Sequence, residues 1–439
     1  HLFSSAASDV YKRQTKTLMV LGNFNMTNAR DLNHHLIDRG QHPVFDTDTQ
    51  TVLEEIGYHL DEAHDAIYRR ERDKGTEGRG IPKIISDEID ILRILNKCAD
   101  QWDGGFAIAG ATGNGVGCVL RDPNGIRPCH YYEDDEVIAF ASERVPLMTV
   151  FNADSGAIKE LPRGNVGVVN QAGELSIQPY TEKKEKRPCS FERIYFSRGN
   201  DPEIYNERMK LGANLVPQIF DRIEDDFDKT IFSFIPNTAE IAYHGMMDGL
   251  RKFRREQVRQ KLIEELQGGT LSEEGIDKLI LQSWPRGEKI AHKDIKLRTF
   301  IAQEKGRDQM VSHVYDVTYD QMGPDETLVV IDDSIVRGTT LKDSIIKILS
   351  RLNPKKIVVA STAPQIRYPD CYGIDMSHLG KFIVFQAAVN LLQRSGQPNL
   401  LTDVYYRCRE ELKKPVGEMT NPVKMVYDPF TEEDLSAEI

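Results

Sequence analysis

The sequence predicts two domains, an α+β domain of antiparallel strands followed by an α/β domain with a mostly parallel sheet. Short apolar runs bounded by turn-forming residues recur from Thr15 to about Tyr180, a pattern typical of antiparallel strands. Beyond residue 188, apolar runs alternate with helical stretches, which indicates βαβ units. The length of 439 residues agrees with this division, since a domain takes roughly 100–200 residues.

The composition argues against several classes of function. Lysine and arginine number 56 against 68 aspartate and glutamate, and the net charge of -12 argues against a general nucleic-acid binder. No apolar run reaches the ~18 residues that a membrane span needs. The six cysteines are scattered without a C-x-x-C pair, so we expect a reducing compartment, the cytoplasm.

The first 14 residues, HLFSSAASDVYKRQ, do not fit the pattern that follows. DVYKRQ resembles a translated sequencing-library end, and we expect residues 1–14 to be non-native. After them, helices are predicted at about 29–39 and 87–102, and GNGVG (113–117) reads as a hairpin turn rather than a dinucleotide-binding loop. The predicted strands are TLMVLGNF, GGFAIAGA, GVGCVLRD, EVIAFASE and GNVGVVNQ.

The charged, proline-ended segment TEKKEKRP (181–188) marks the predicted domain boundary, although it could also be a solvated loop inside one domain. We assign residues 15–182 to the first domain, 188–395 to the second and 396–439 to a polar C-terminal tail. A long charged insertion, about Arg251–Lys305, is predicted between the first two strands of the second domain. The predicted strands of the second domain are, in chain order, TIFSFIP, TLVVID and KKIVVAST.

The segment VVIDDSIVRGTT (329–340) joins a predicted strand to a predicted helix. Open parallel sheets bind ligands at such turns, where backbone N–H groups favour phosphate. Asp332 and Asp333 would repel an anion, but they suit vicinal hydroxyls or a metal ion. The segment therefore predicts a phosphorylated sugar bound with Mg²⁺. The alternatives are a Walker-B-like metal site, a receiver-type acidic pocket and a capped helix start with solvated acids.

This segment resembles the signature of type I phosphoribosyltransferases and, in this wording, that of the amidophosphoribosyltransferase family. The resemblance implies a partial N-terminal-nucleophile (Ntn) hydrolase-like glutaminase domain and then a type I phosphoribosyltransferase domain. In that family, ammonia from glutamine displaces pyrophosphate from 5-phosphoribosyl diphosphate in purine biosynthesis. Further segments with counterparts in the same order are NFNMTNA (23–29), RDPNGIRP (121–128), ASE (141–143), FERIYFSRGND (191–201), FIPNTAEIA (234–242), KLRTFI (296–301) and IRYPDCYGIDM (366–376).

The resemblance implies roles in the transferase domain. Asp332 and Asp333 would bind the ribose hydroxyls and Mg²⁺, and Thr238 would be a further ligand of the metal or the diphosphate. Arg298 would neutralise the leaving group, or it is an ordinary surface arginine. The 5-phosphate would be cradled by Ser334, Ile335, Val336, Arg337, Gly338, Thr339 and Thr340.

In the glutaminase domain, the resemblance implies an oxyanion hole formed by the side chain of Asn23 and the N–H of Phe24. Phe24 replaces the glycine of the family, and its bulk could block the pocket or change the backbone. Asp48 would bind the α-ammonium group of glutamine, or it caps a helix. No cysteine precedes Cys98, so we expect an N-terminally truncated chain without the family's terminal nucleophile, active with ammonia only.

Cofactors and partners follow from the same resemblance. Cys189 and Cys371 lie near two iron–sulfur ligand positions, but the C-terminal C-x-x-C is absent and we expect no cluster. We expect a homo-oligomer inhibited by purine nucleotides, without nucleic-acid or membrane partners. A transferase acting on a nucleobase and a non-catalytic regulator that binds phosphoribosyl diphosphate stay open as alternatives.

Overall fold

Two units make up the part of the chain that the structure, a computed structural model, describes. The first unit runs to Glu192 and the second begins at Arg193. None of the helices formed by the described residues is long and apolar enough to cross a membrane. The described residues are 16–45, 47–99, 101–224, 226–269, 272–281, 284–293, 315–338, 341–369, 378–414 and 418–439.

Antiparallel strands form two sheets in the first unit. One sheet has the strand order β1-β2-β3-β7-β8 and the other the order β5-β4-β6. The predicted runs become strands because their apolar residues alternate between two faces, as the burial pattern along β1 shows. The strands are β1 (Leu18–Met26), β2 (Gly104–Thr112), β3 (Gly117–Arg121), β4 (His130–Glu133), β5 (Ile138–Ala141), β6 (Lys159–Glu160), β7 (Asn165–Val169) and β8 (Leu175–Pro179).

Helices cover one face of the five-stranded sheet, and the three-stranded sheet packs on the other. The sequence predicted α1 and α4 but missed α3 and the 26-residue α2, although Val52, Ile56 and Leu60 recur in α2 at helical spacing and are buried. This helix makes the unit layered. The helices are α1 (Ala29–Asp38), α2 (Asp48–Asp73), α3 (Ile81–Glu88), α4 (Ile91–Ala99) and α5 (Arg144–Phe151).

The glycine-rich segment 113–117 connects β2 to β3, which pair in antiparallel fashion. Gly115 has a φ of +90°, a backbone conformation that glycine adopts without strain. The predicted hairpin turn is confirmed.

A parallel sheet with the strand order β10-β9-β13-β14 forms the centre of the second unit. All residues of β9 and the first five of β13 are buried, because apolar clusters cover both faces of this sheet. A separate antiparallel pair, β11 and β12, follows β10 in the chain. The strands are β9 (Thr230–Phe234), β10 (Arg286–Gly287), β11 (Ala291–Lys293), β12 (Tyr315–Val317), β13 (Thr327–Asp332) and β14 (Lys356–Ser361).

The region about Arg251–Lys305 is not a simple charged insertion, so that prediction is wrong. Its first part continues α8, whose charged residues form an exposed helical face, and its later described part contains β10 and β11. The helices up to this point are α6 (Pro202–Asn214), α7 (Val216–Ile223), α8 (Glu240–Gly268) and α9 (Glu273–Leu281).

Residues near the C-terminus belong to the second unit. Helices of the predicted tail pack against α11 through Val404, Val426 and Leu435, which are buried. A short turn of π-type helix, Leu341–Ile346, precedes α10. The remaining helices are α10 (Lys347–Leu349), α11 (Ile383–Arg394), α12 (Asn399–Glu411), α13 (Lys424–Tyr427) and α14 (Glu432–Glu438).

Candidate functional site

The first candidate site lies at the carboxyl end of β13, a central strand of the parallel sheet. Asp332 ends this strand, and the backbone turns at once into residues 333–338. We call residues 332–338 the acid turn. The N–H of Asp333 donates to Asp332 Oδ1 at 2.8 Å, and the hydroxyl of Ser334 donates to Asp333 Oδ1 at 2.8 Å. These bonds fix the first acid relative to the backbone of the second.

The neighbouring strand β14 holds the acid turn from one side. The N–H of Thr362 donates to the carbonyl oxygen of Asp332 at 3.0 Å, and its hydroxyl donates to that of Asp333 at 2.9 Å. The N–H of Ala363 also donates to Asp333 O, at 2.9 Å. The backbone of both acids is therefore anchored, and their carboxylates are held at one place.

The other neighbouring strand, β9, brings Thr238 to the acids. Its end pairs with β13, since the N–H of Ile235 donates to the carbonyl oxygen of Ile331 at 2.9 Å. The loop that follows includes a cis peptide bond between Pro236 and Asn237 and leads into α8. Within it the hydroxyl of Thr238 lies close enough to the carboxylate of Asp333 to lower the pKa of that carboxyl. Two segments far apart in sequence thus meet where carboxyl ends of parallel strands share an edge.

Burial and mutual repulsion disfavour ionisation of the two acids. The pKa of Asp332 is held well above its usual range, mainly because its carboxyl is removed from water and secondly because Asp333 carries a like charge. Burial likewise raises the pKa of Asp333, although hydrogen bonds from Ser334 and Thr238 oppose this effect. A cation between the carboxylates would relieve the repulsion.

The donor set of this pair fits Mg²⁺. Among the described residues, no group of three or more His, Cys, Asp or Glu side chains could hold a metal ion by itself. Two carboxylates and a hydroxyl nevertheless suit Mg²⁺, which commonly takes one or two carboxylates and completes its shell with substrate phosphates and water.

Three further side chains interact electrostatically with the acids and were missed by the sequence reasoning. The charge of Lys293 acts on both carboxylates, and the charge of Arg208 acts on Asp333. Burial raises the pKa of the Tyr315 phenol, and the charges of Asp332 and Asp333 raise it further. No motif marks these residues, because Lys293 and Tyr315 lie in a charged region and Arg208 lies inside α6.

Gly338 ends the described part of the acid turn in a conformation that requires glycine. Its φ is +71°, and a Cβ there would lie 2.3 Å from Cδ1 of Ile383 in α11. The carbonyl oxygen of Gly338 accepts the N–H of Lys342 at 2.8 Å, and that of Val336 accepts the N–H of Ile383 at 2.9 Å. The turn is therefore packed closely against α11.

The second candidate site lies in the first unit, along the outer edge of β1. Asn23 is exposed, whereas Phe24 is 3 % exposed and belongs to the apolar core. Adjacent residues of a strand point to opposite faces, so the bulk of Phe24 lies on the side away from Asn23. The strand pairing is regular at Phe24, which pairs with Phe106.

The N–H of Phe24 points away from the sheet. Thr27 donates to Asp103 O at 2.9 Å and Gly113 donates to Thr17 O at 2.8 Å, and both bonds continue the register of β1 with β2. Odd-numbered residues of β1 therefore form the hydrogen-bonded pairs, and even-numbered ones direct their N–H groups outward. β1 is the edge strand of the sheet described here.

Asp48 lies on this same edge. The N–H of Met26 donates to Asp48 Oδ2 at 3.3 Å, two residues along β1 from Phe24, a distance of ~7 Å at ~3.3 Å per residue. Asp48 does not cap α2, because the N-cap is Thr47, whose side chain accepts the N–H of Gln50. The helix-cap alternative is therefore wrong for Asp48.

Several predicted residues lie outside the described part of the chain. These are Arg298, Thr339 and Thr340, together with Cys371, one of the cysteines weighed for a cluster. Their predicted roles stay predictions.

Comparison with known proteins gives relatives for most of the chain. Residues 82–169 match the family of class-II glutamine amidotransferases. The amidophosphoribosyltransferase of Pasteurella multocida (strain Pm70) is 26% identical over 392 residues, which are 87% of this chain and 67% of that protein. The amidophosphoribosyltransferase of Escherichia coli (strain K12) is 24% identical over 402 residues, 89% of this chain and 68% of that protein. The chain thus spans about two thirds of the length of these relatives.

Two solved structures share the fold. One is described as the allosteric regulatory enzyme of purine biosynthesis, with a TM-score of 0.61, 21% identity and coverage of 89% of this chain and 70% of that one. The other is glutamine phosphoribosylpyrophosphate amidotransferase from B. subtilis complexed with ADP and GMP, with a TM-score of 0.61, 20% identity and coverage of 90% and 72%. The resemblance to the amidophosphoribosyltransferases is confirmed, and so is the predicted fold class, a layered unit of antiparallel sheets followed by a unit with a parallel sheet.

Proposed function

We propose that this homologue of the amidophosphoribosyltransferases transfers the phosphoribosyl group of 5-phosphoribosyl diphosphate to ammonia, in purine biosynthesis. The products would be 5-phosphoribosylamine and pyrophosphate. The observation that carries the proposal is the contact of Thr238 with Asp333, because it joins the two segments that would bind the diphosphate and the sugar. The similarity of 87–89% of the chain to amidophosphoribosyltransferases supports it independently.

The chain's residues would divide the work at the carboxyl end of the parallel sheet. The acid turn would hold the sugar through Asp332 and Asp333, while its backbone N–H groups and Gly338 would let the 5-phosphate approach closely. Asp332, Asp333 and Thr238 would also hold Mg²⁺, which supplies positive charge to the diphosphate. Since Ser334 holds the carboxylate of Asp333 and Thr362 holds its backbone, little reorganisation of this residue would accompany binding.

Ammonia would be the direct nucleophile whatever its source. We propose that the first unit belongs to its supply through glutamine hydrolysis, with Asn23 and the N–H of Phe24 as the oxyanion hole and Asp48 as the partner of the α-ammonium group. Two of these groups, the N–H of Phe24 and the carboxylate of Asp48, lie along the same edge of β1, which supports the assignment. The chain as given would be tested with ammonium, since no cysteine precedes Cys98.

Regulation is proposed from one solved neighbour, and assembly from the resemblance found in the sequence. One solved neighbour is described as complexed with ADP and GMP. Purine nucleotides would accordingly inhibit this chain, and it would assemble into homo-oligomers.

The test is pyrophosphate release by the purified chain from phosphoribosyl diphosphate, Mg²⁺ and ammonium at alkaline pH. We expect turnover, and we expect Asp333→Asn to lower kcat about 100- to 1000-fold, because it removes charge that would hold the sugar and the metal. Asp320→Asn is the matched control, since Asp320 is exposed and asparagine tolerates its φ of +63°.

Other outcomes would select the alternatives. Tight binding of phosphoribosyl diphosphate without turnover would favour a non-catalytic regulator. Pyrophosphate release that requires a nucleobase would favour a base transferase. Unchanged turnover in Asp333→Asn would remove the role given to the acid turn.

A further inference from the structure

The second half of α8 and the helix α9 form an exposed helical hairpin, residues 251–281. A short connection, residues 269–272, joins the two helices, and α9 packs back on α8, so the helices run in opposite directions. Of the hairpin residues that the structure describes, only Val258 and Leu279 are buried. Both helices therefore present most of their surface to solvent.

One side of α8 changes from basic to apolar along the hairpin. Residues three and four positions apart lie on the same side of a helix. A series with this spacing runs along α8, basic in its first half and apolar in its second half. Ile263 is 48 % exposed and Leu266 is 63 % exposed, so the apolar half faces solvent. The members of the series are Lys252, Arg255, Arg259, Leu262, Ile263 and Leu266.

A second series with the same spacing runs along α9, and it alternates acidic and apolar residues. Its members are Glu273, Ile276, Asp277 and Ile280. The single buried residue of each helix marks the side that faces the other helix. Viewed from each N-terminus at ~100° per residue, the α8 series lies roughly 40–140° clockwise of Val258 and the α9 series roughly 60–160° clockwise of Leu279. Because the helices are antiparallel, both series lie on one face of the hairpin, which we call the hairpin face.

The charges at the two ends of the hairpin face lack partners within the chain. Among the described residues, neither Lys252 and Arg255 at one end nor Glu273 and Asp277 at the other make an ion pair. At ~1.5 Å per residue, more than about 10 Å of helix separates the two ends, so these groups do not reach each other in one chain. A second hairpin laid in the opposite direction brings acidic residues onto the basic ones.

We propose that the hairpin face pairs with the same face of a second copy of the chain about a twofold axis. Each contact of such an interface occurs twice, so both basic ends meet acidic ends. The apolar residues between the ends then meet and leave water. An anionic membrane is a poorer occupant, because Glu273 and Asp277 would be repelled by it. The inference goes beyond the proposed transferase function, since it depends on no residue of the acid turn.

The test reverses the charges at each end and measures the mass of the full chain by sedimentation equilibrium. The first variant carries Lys252→Glu and Arg255→Glu, and the second carries Glu273→Lys and Asp277→Lys. Each variant alone places like charges opposite each other, so the mass should fall by half and the Kd of pairing should rise at least ~10-fold. An equimolar mixture of the two variants should recover the wild-type mass, because every contact again joins opposite charges.

Further variants serve as controls and test the apolar part of the face. Lys261→Glu combined with Lys278→Glu changes the net charge as much as the first variant does, but these exposed residues lie outside both series, so the mass should stay. Ile263→Asn combined with Leu266→Asn should abolish pairing. Leu412→Asn is its control, since Leu412 is 73 % exposed at the end of α12. Circular dichroism should be unchanged in all variants, because the substituted side chains are exposed.

Several results would overturn this inference. A wild-type chain that is monomeric at every concentration would do so, and so would equal dissociation in the Lys261→Glu, Lys278→Glu control. Association that survives in both charge-reversed variants would place the homo-oligomer contact elsewhere and leave the transferase proposal untouched. Two folded, dissociated variants that fail to associate when mixed would rule out antiparallel pairing. Binding of the wild-type chain to anionic vesicles without self-association would assign the face to a membrane instead.

Discussion

The carboxyl edge of the parallel sheet and the outer edge of β1 both carry predicted site residues, but they gather them differently. At the first, loops from β9, β13 and β14 meet, so that Thr238 and Thr362 both contact Asp333 although more than 100 residues separate them. At the second, the neighbours Asn23 and Phe24 point to opposite faces of one strand. Of the predicted groups, the backbone N–H of Phe24 and the carboxylate of Asp48 share that edge.

The difference shows how strand direction governs site construction. Parallel neighbours place all their carboxyl ends at one edge, so side chains from distant segments converge there. An antiparallel strand offers alternate side chains to opposite faces and alternate N–H groups to opposite sides, so a site on its edge depends on backbone groups. Substitutions at the two edges should therefore have different consequences.

The largest expected effect separates Phe24 from Asn23. Phe24→Ala should lower the free energy of unfolding by about 3–5 kcal/mol, because a buried ring leaves a cavity in the core of the first unit. Asn23→Ala should change it by no more than about 0.5 kcal/mol, because Asn23 is exposed. Urea denaturation of both variants measures the contrast. Equal losses would mean that the two side chains do not lie on opposite faces.

The next effect concerns the acid turn. Gly338→Ala should cost about 1–2 kcal/mol for the left-handed backbone and about 1–3 kcal/mol for contact with Ile383. Gly396→Ala is the matched control, since Gly396 has a similar φ of +74° but nothing within 4 Å of an added Cβ. Gly396→Ala should lower the free energy of unfolding only by the cost of the left-handed backbone. Chemical denaturation that gives equal losses for both would contradict the close packing of the turn on α11.

Charge on the acid turn should destabilise the metal-free protein. Because burial raises the pKa of Asp332, the folded state binds its proton more tightly than the unfolded state. The resulting loss in the free energy of unfolding is absent below the ordinary aspartate pKa. It grows as pH rises from that value to the raised pKa of Asp332, and it is complete above the raised pKa. Asp332→Asn should thus raise the Tm at neutral pH without Mg²⁺, by roughly 2–4 °C per kcal/mol removed, and should not raise it in acid. Thermal scans at neutral and at acid pH measure the effect. A variant that is less stable than the wild-type chain at neutral pH would contradict the prediction.

The smallest effect tests the link from α2 to β1. Asp48→Ala removes the acceptor of the Met26 N–H and should cost about 0.5–1.5 kcal/mol. Thr47→Ala removes the helix cap and should cost about 1 kcal/mol. Hydrogen exchange of the Met26 amide distinguishes them, since only the first variant should speed exchange there. Equal exchange in both would show that Asp48 does not hold this edge.

Much of the fold and part of the site could be predicted because the signals are local. Alternating apolar residues indicate β1 and β2, continuous apolar runs indicate β9 and β13, and the DD pair follows a buried strand at its carboxyl end. The 26-residue α2 also has a local signal, the spacing of Val52, Ile56 and Leu60, but it was overlooked among many charged residues.

The sequence by itself determined β1, β2, β3, β5, β7, β9, β13 and β14 and the layered and parallel-sheet units, because these depend on periodicity. It predicts the acid turn as a ligand-binding segment from a continuous motif. Only the tertiary structure decided that Lys293, Tyr315 and Arg208 interact electrostatically with the acids, and that Phe24 turns its ring into the core while its N–H faces outward. The physical reason is that these relations depend on strand order and register between segments that are not neighbours in the sequence. No local pattern of side chains encodes such distances.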